Sequence, residues 1–180
     1  MKPDDAAAFR EFVQSRWGRL VRIAYLMTGD HGEAEDLTQT ALARVGASWT
    51  RVRAVEQPDS YVRRVLVNCN INRYRRLRPV ALFGMRTPDV PGPDPTHQID
   101  ERDALMRALA DLPPRQRAVV VLRFWDDMSE ADVAGVLGCS VGTVKSQTSK
   151  GLAKLRRDPA LAAAARNAQA PLEGTSHERT

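Results

Sequence analysis

An all-α fold of two small helical modules joined by a proline-rich linker is predicted for these 180 residues by three observations. Apolar residues recur at steps of three and four through most of the chain, and no stretch alternates with period two for long enough to make a strand. Prolines at 79, 88, 91, 93 and 95 interrupt this pattern in PVALFGMRTPDVPGPDPTH, which can sustain neither a helix nor a central strand. Positive charge gathers on either side of the break. Residues 1–78 carry fourteen basic against nine acidic side chains and residues 111–157 eight against five, whereas 79–110 carry three against five. The expected division is a first module over 1–78, a flexible linker over 79–103, a second module over 104–157, and a tail over 158–180 that frays and ends disordered.

Each element has its own signal. Phe9, Phe12, Val13, Trp17, Leu20, Val21, Ala24, Tyr25 and Met27 trace one helical face, closed by Gly29. A second helix, from about His31 to Val45, turns Leu37, Ala41, Leu42 and Val45 inward, and its acidic GEAED start complements the helix dipole. Residues 50–58 read as a connecting loop, after which Asp59 or Ser60 caps a long helix to about Arg78. In the second module, a helix near Asp100–Ala110 precedes LPPRQR, where Pro113–Pro114 suit the start of a new helix with Val119–Phe124 as its apolar face.

Residues 128–155, MSEADVAGVLGCSVGTVKSQTSKGLAKL, read as a complete helix-turn-helix. Ser129 caps the first helix, with Asp132 three residues on. Val133, Val136 and Leu137 give its apolar stripe, small Ala134 permits a close crossing, and Gly138 ends it in a left-handed turn. Ser140 caps the second helix, whose inward positions are Val141, Val144, Thr148, Leu152 and Leu155. Outward lie Thr143, Lys145, Ser146, Gln147, Ser149 and Lys150, with no carboxylate before Asp158, a composition suited to a DNA groove. A second basic element, SYVRRVLVNCNINRYRRLR over 60–78, holds six arginines and no carboxylate. Tyr61, Val62, Val65, Leu66, Cys69 and Ile71 hold one side against a core. Arg63, Arg64, Asn68, Asn72, Arg73, Arg75 and Arg76 are left as a phosphate-binding edge. Tyr74, and Trp49 at the mouth of the preceding loop, are candidates to stack on unpaired bases.

The net charge of +5 favours a polyanionic partner. Cys69 and Cys139 are isolated, so free thiols rather than a disulfide or a metal site are expected. His31, His97 and His177 fall in a turn, the linker and the tail, without a nucleophile or metal set beside them. No catalytic residues, metal or cofactor are therefore expected, and the chain does not read as an enzyme. It shows no signal peptide and no apolar run near the roughly 20 residues a membrane helix needs, which points to the cytoplasm and away from membranes. A free-standing helix-turn-helix regulator is the alternative. A response regulator, however, carries strands before its DNA-binding module, and a ligand-sensing repressor has the reverse domain order. Whether the two modules close on each other is open at this level.

Three motifs in this order resemble an extracytoplasmic-function (group 4) sigma factor, of the smallest class of bacterial RNA polymerase specificity subunits. GDHGEAEDLTQTALARV is similar to the family's region 2.2, YVRRVLVNCNINRYRRLR to regions 2.3 and 2.4, and LPPRQRAVVVLRFWDDMSEADVAGVLGCSVGTVKSQTSKGLAKLR to region 4. The resemblance covers about residues 8–78 and 104–157. It implies core RNA polymerase as a partner, through the clamp helices and flap, with Asp36, Leu37, Gln39, Thr40 and Arg44 on the docking helix. It implies promoter DNA as a second partner. A flipped base of the −10 element would be captured near residues 51–60, with Arg64, Asn68, Arg73, Tyr74, Arg75 and Arg76 along the strand. The −35 element falls to Thr143, Lys145, Ser146, Gln147, Ser149 and Lys150, with Arg115 and Arg117 on backbone phosphates. A controlling anti-sigma factor is a further partner that the family commonly has. Gln147 and Thr148 depart from the family's usual Arg and Leu, which removes one cation and puts a hydroxyl into the helix-turn-helix core.

Overall fold

A computed structural model describes residues 3–81 and 97–168 of the chain, and every regular element among them is a helix. Helices α1 (Pro3–Thr28) and α2 (His31–Ala47) form a hairpin. Gly29 makes the turn at φ 88°, and Asp30 caps α2 by accepting the Glu33 N–H at 2.8 Å. The single turn α3 (Trp49–Val52) lies in the stretch expected as loop, and α4 (Pro58–Ala81) completes the bundle against α1 and α2. Ile23, Met27, Val45, Val62 and Leu66 are buried at its centre. Trp49 is a correction to the base-stacking expectation. It is 4% exposed, and its ring lies 5.1 Å from Phe9 and 4.9 Å from Phe12, centroid to centroid. An indole held by two phenyl rings belongs to the core.

The second module starts with α5 (His97–Ala110), inside the stretch expected as linker; residues 82–96 and 169–180 lie outside the described residues. Helix α6 (Pro114–Val120) opens on Pro114 and runs into a π-helical turn (Val121–Trp125) that leaves Phe124 and Trp125 exposed. Helices α7 (Glu130–Leu137) and α8 (Val141–Arg157) follow, and then α9 (Pro159–Ala168), which packs back on α5 rather than fraying. Among the described residues, no helix is long and apolar enough to cross a membrane.

The modules are closed on each other. Helix α1 touches α5, α6 and the π-helical turn, and α4 touches α6 and α7. Leu109, Leu112, Val119 and Leu122 of the second module share one apolar core with Leu20, Met27 and Leu66 of the first. Burying apolar surface from both sides of a joint is favourable in proportion to the area removed from water, which gives this packing its driving force.

Candidate nucleic-acid interface

The helix-turn-helix forms as its caps dictate. Ser129 Oγ accepts the Asp132 N–H and Ser140 Oγ the Thr143 N–H, each at 3.1 Å, and Gly138 turns the chain at φ 61°. Val133, Val136 and Val144 are buried between α7 and α8. One inward expectation shifts: Val141 is 38% exposed at the start of α8. Ala134 is buried, and a further close approach falls on buried Gly151, where a Cβ would lie 2.9 Å from Val120 Cγ2 of α6. The Thr148 hydroxyl is satisfied by donating to Val144 O at 2.9 Å, so it is no orphan in that core.

Thr143, Lys145, Ser146, Ser149 and Lys150 are exposed together on α8, as a groove-reading face requires. Lys145 also lies 3.7 Å from Glu130, an exposed pair of little energetic weight. Gln147 is half-buried and turned toward α4. With Thr143 and Arg115 it faces Asn68, Asn72 and Arg75 across a cavity of about 170 Å³ between the modules. Arg64 is exposed on the same side of α4, close to Gly138.

Arg117, Tyr74 and Arg73 are placed away from this face. Arg117, expected on a DNA phosphate, is 4% exposed. Its Nη1 donates to Met27 O at 2.7 Å and to the Tyr74 hydroxyl at 3.0 Å, and its Nη2 to Ala110 O. Burial pulls its pKa below the ordinary arginine value, against the pull of Tyr74 and Asp111. Tyr74 is thereby tied into the joint, its own hydroxyl 3.3 Å from Met27 O. Arg73 turns to the other side of α4 and pairs with Glu33 of α2. The side chain of Arg76 lies outside the described residues.

Arg73 there joins the residues expected to dock on polymerase. Asp36, Leu37, Thr40 and Arg44 line a groove of about 470 Å³ between α2 and α4, with Cys69 and Arg73 on the opposite wall. Gln39 is exposed on α2, whereas Leu37 is 5% exposed and serves the core as well. Burial raises the Cys69 thiol above its ordinary value, with Arg44 opposing, so it is held as the neutral thiol.

A third cleft, of about 570 Å³, lies where the −10 base was expected, between α1 and the start of α4. Ser15, Arg16 and Arg19 form one side and residues 56–60 with Arg63 the other. Arg16 holds Asp59 through two hydrogen bonds, 2.6 and 3.0 Å, and lowers its carboxyl pKa. Arg19 and Arg63 instead hold Asp126 of the second module, each at 2.5 Å. The sequence reading missed Arg16 and Arg19, although the Arg16, Arg19, Arg22 spacing along one helix face was there to be seen.

The profile described as Sigma-70 region 2 matches residues 12–80, and that described as Sigma-70, region 4 matches residues 102–155. The chain is 39% identical over 150 residues to the RNA polymerase sigma-E factor of Streptomyces coelicolor, covering 83% of this chain and 85% of that one. It is 35% identical over 156 residues to the ECF RNA polymerase sigma factor SigM of Mycobacterium tuberculosis, covering 85% and 78%. Among solved structures it is similar in fold to the sigma factor RpoE in complex with the anti-sigma factor NepR from Bartonella quintana. That match has a TM-score of 0.64 at 21% identity and covers 83% of this chain and 94% of that one. CnrH in complex with the cytosolic domain of CnrY matches at TM-score 0.59 and 21% identity, covering 92% and 91%.

Proposed function

This chain belongs to the sigma-70 family as an extracytoplasmic-function sigma factor, and from that premise we propose how its residues divide the work of a promoter-specificity subunit. It binds core RNA polymerase and directs initiation by recognising −10 and −35 elements. The observation that carries the reading is the pairing, in one chain, of both matched regions with a fully capped helix-turn-helix whose second helix carries no carboxylate from Val141 to Arg157.

Polymerase docks on α2 through Asp36, Leu37, Gln39, Thr40 and Arg44, and the groove shared with α4 makes Arg73 part of that surface rather than of the DNA edge. Arg64, Asn68 and Arg75 on α4 hold the −10 strand. Thr143, Lys145, Ser146, Gln147, Ser149 and Lys150 read the −35 element, helped by Arg115 on phosphate. The polymerase supplies the chemistry, so no residue here is assigned a catalytic role, and the work is cytoplasmic. An anti-sigma factor is the natural antagonist, since the solved relatives RpoE and CnrH are bound to NepR and CnrY.

Both DNA modules cannot span two separated elements while α1 and α4 pack on α5–α7. Opening is therefore part of function, and polymerase binding shifts the population by favouring the open form. Run-off transcription from the promoter of the chain's own gene tests the reading. A transcript that requires both core polymerase and this protein is expected. No transcript, combined with salt-sensitive duplex binding without polymerase, would point instead to a free-standing regulator.

A further inference from the structure

Asp126 is a carboxylate of one module held entirely by the cations of the other. It follows the π-helical turn, and its side chain is 1% exposed. One oxygen meets Arg19 Nε and the other Arg63 Nε, each at 2.5 Å, while Arg19 Nη2 donates to Asp126 O at 3.2 Å. Arg19 stands on α1 and Arg63 on α4, so two guanidinium groups from separate helices converge on one pair of oxygens. That geometry suits a phosphate as well as a carboxylate.

The charges of the first module by itself call for an anion there. The cleft beside residues 56–60 is lined by Arg16, Arg19 and Arg63 against Glu56 and Asp59. Arg16 takes Asp59, and Asp59 feels Arg63 and Arg19 only through space. Arg53 is spent on Asp5 and Arg73 on Glu33. Among the described residues, Arg19 and Arg63 find their ion-pair partner only across the joint. Once the modules part, two neighbouring guanidinium groups face an open cleft with one cation in excess.

We propose that Arg19 and Arg63 form a phosphate site for single-stranded promoter DNA, and that Asp126 occupies it in the closed protein as an intramolecular stand-in for the phosphate. The proposal rests on the sigma-factor reading. Strand and carboxylate then compete for the same two side chains, so capture of the −10 strand and closure of the modules exclude each other. The device keeps the free subunit off DNA and returns the site when the strand leaves.

The test uses the full chain and fluorescein-labelled oligothymidine, because phosphate recognition is indifferent to sequence. Without polymerase, Asp126→Asn is expected to bind the oligonucleotide about tenfold more tightly than wild type, the scale of a modest population shift. Its affinity is expected to fall more steeply with salt. Adding Arg63→Gln to Asp126→Asn is expected to return affinity to the wild-type level. Unchanged binding by Asp126→Asn, or equal binding by the single and double variants, overturns the proposal. A fluorophore pair placed on α1 and α8 of the otherwise wild-type protein covers the case of a variant that does not fold. Oligothymidine should lengthen the distance between the two dyes, and an unchanged distance counts against the stand-in. Wild-type run-off transcription separates the two failures. Transcription with no effect of Asp126→Asn on binding sinks the phosphate site alone, whereas tighter binding by the variant without transcription sinks the sigma-factor reading alone.

Discussion

Replacing Arg117 by alanine distinguishes a cation that holds the joint from one that holds DNA. Its guanidinium serves three acceptors: Met27 O at 2.7 Å, the Tyr74 hydroxyl at 3.0 Å, and Ala110 O. Met27 and Ala110 lie in the last turns of α1 and α5, where carbonyls lack partners within the helix. A hydrogen bond from a charged donor contributes about 1.5–3 kcal/mol. Against these three stands the cost of burying the guanidinium, the same effect that lowers its pKa. Alanine removes both terms but leaves carbonyls unpaired and a cavity, so the net loss should be roughly 2–4 kcal/mol. For a chain of this size that lowers the melting temperature by roughly 5–15 °C. Thermal unfolding followed by circular dichroism reads this directly, with duplex binding measured against salt in parallel. An unchanged melting temperature with a salt slope reduced by about 0.9 would refute the reasoning, since that is the signature of one lost phosphate contact.

Gly151→Ala should destabilise. The helix propensity gain of about 1 kcal/mol is outweighed by an overpacking cost of about 1–3 kcal/mol, because the new Cβ lies 2.9 Å from a stiff, buried Val120. Adding Val120→Ala should cost less in that background than alone, and additive urea midpoints would contradict the clash. The Arg16–Asp59 pair gives a pH dependence of defined sign. Arg16 lowers the folded-state pKa of Asp59, so its contribution is complete above the ordinary value near 3.9 and is lost as pH falls through the folded value. Both side chains are more than a third exposed, which limits the effect to below about 1 kcal/mol. Urea unfolding of Asp59→Asn should lose that part of the acid limb, and an identical pH curve would deny the pair a role. Lys145→Ala should weaken −35 duplex binding by roughly 1–3 kcal/mol if it reads a base. Folding stability should stay within about 0.5 kcal/mol, because its contact with Glu130 is exposed. An equal loss on unrelated duplexes would mark a phosphate contact instead.

What lay within a few residues was legible in the sequence. The caps at Ser129 and Ser140, the left-handed Gly138, the turn at Gly29 and the apolar steps of α1, α2 and α4 are local devices whose partners sit three or four residues away. They determined the all-α class, the place of the helix-turn-helix and the outward face of α8. The proposal that α2 docks on polymerase came from the family motifs, since no local signal could supply it. The tertiary structure decided which cations are free. Arg73, Arg75 and Arg117 look alike in sequence, yet one pairs with Glu33, one stays exposed, and one is buried between modules. Trp49 likewise reads as a loop aromatic until Phe9 and Phe12 close over it from α1. Asp126 carries no local signal of its role, because Arg19 and Arg63 reach it from 107 and 63 residues away. Pairings at such separations depend on how whole helices pack, and helical periodicity sets which side of a helix a residue occupies without saying what will meet it there.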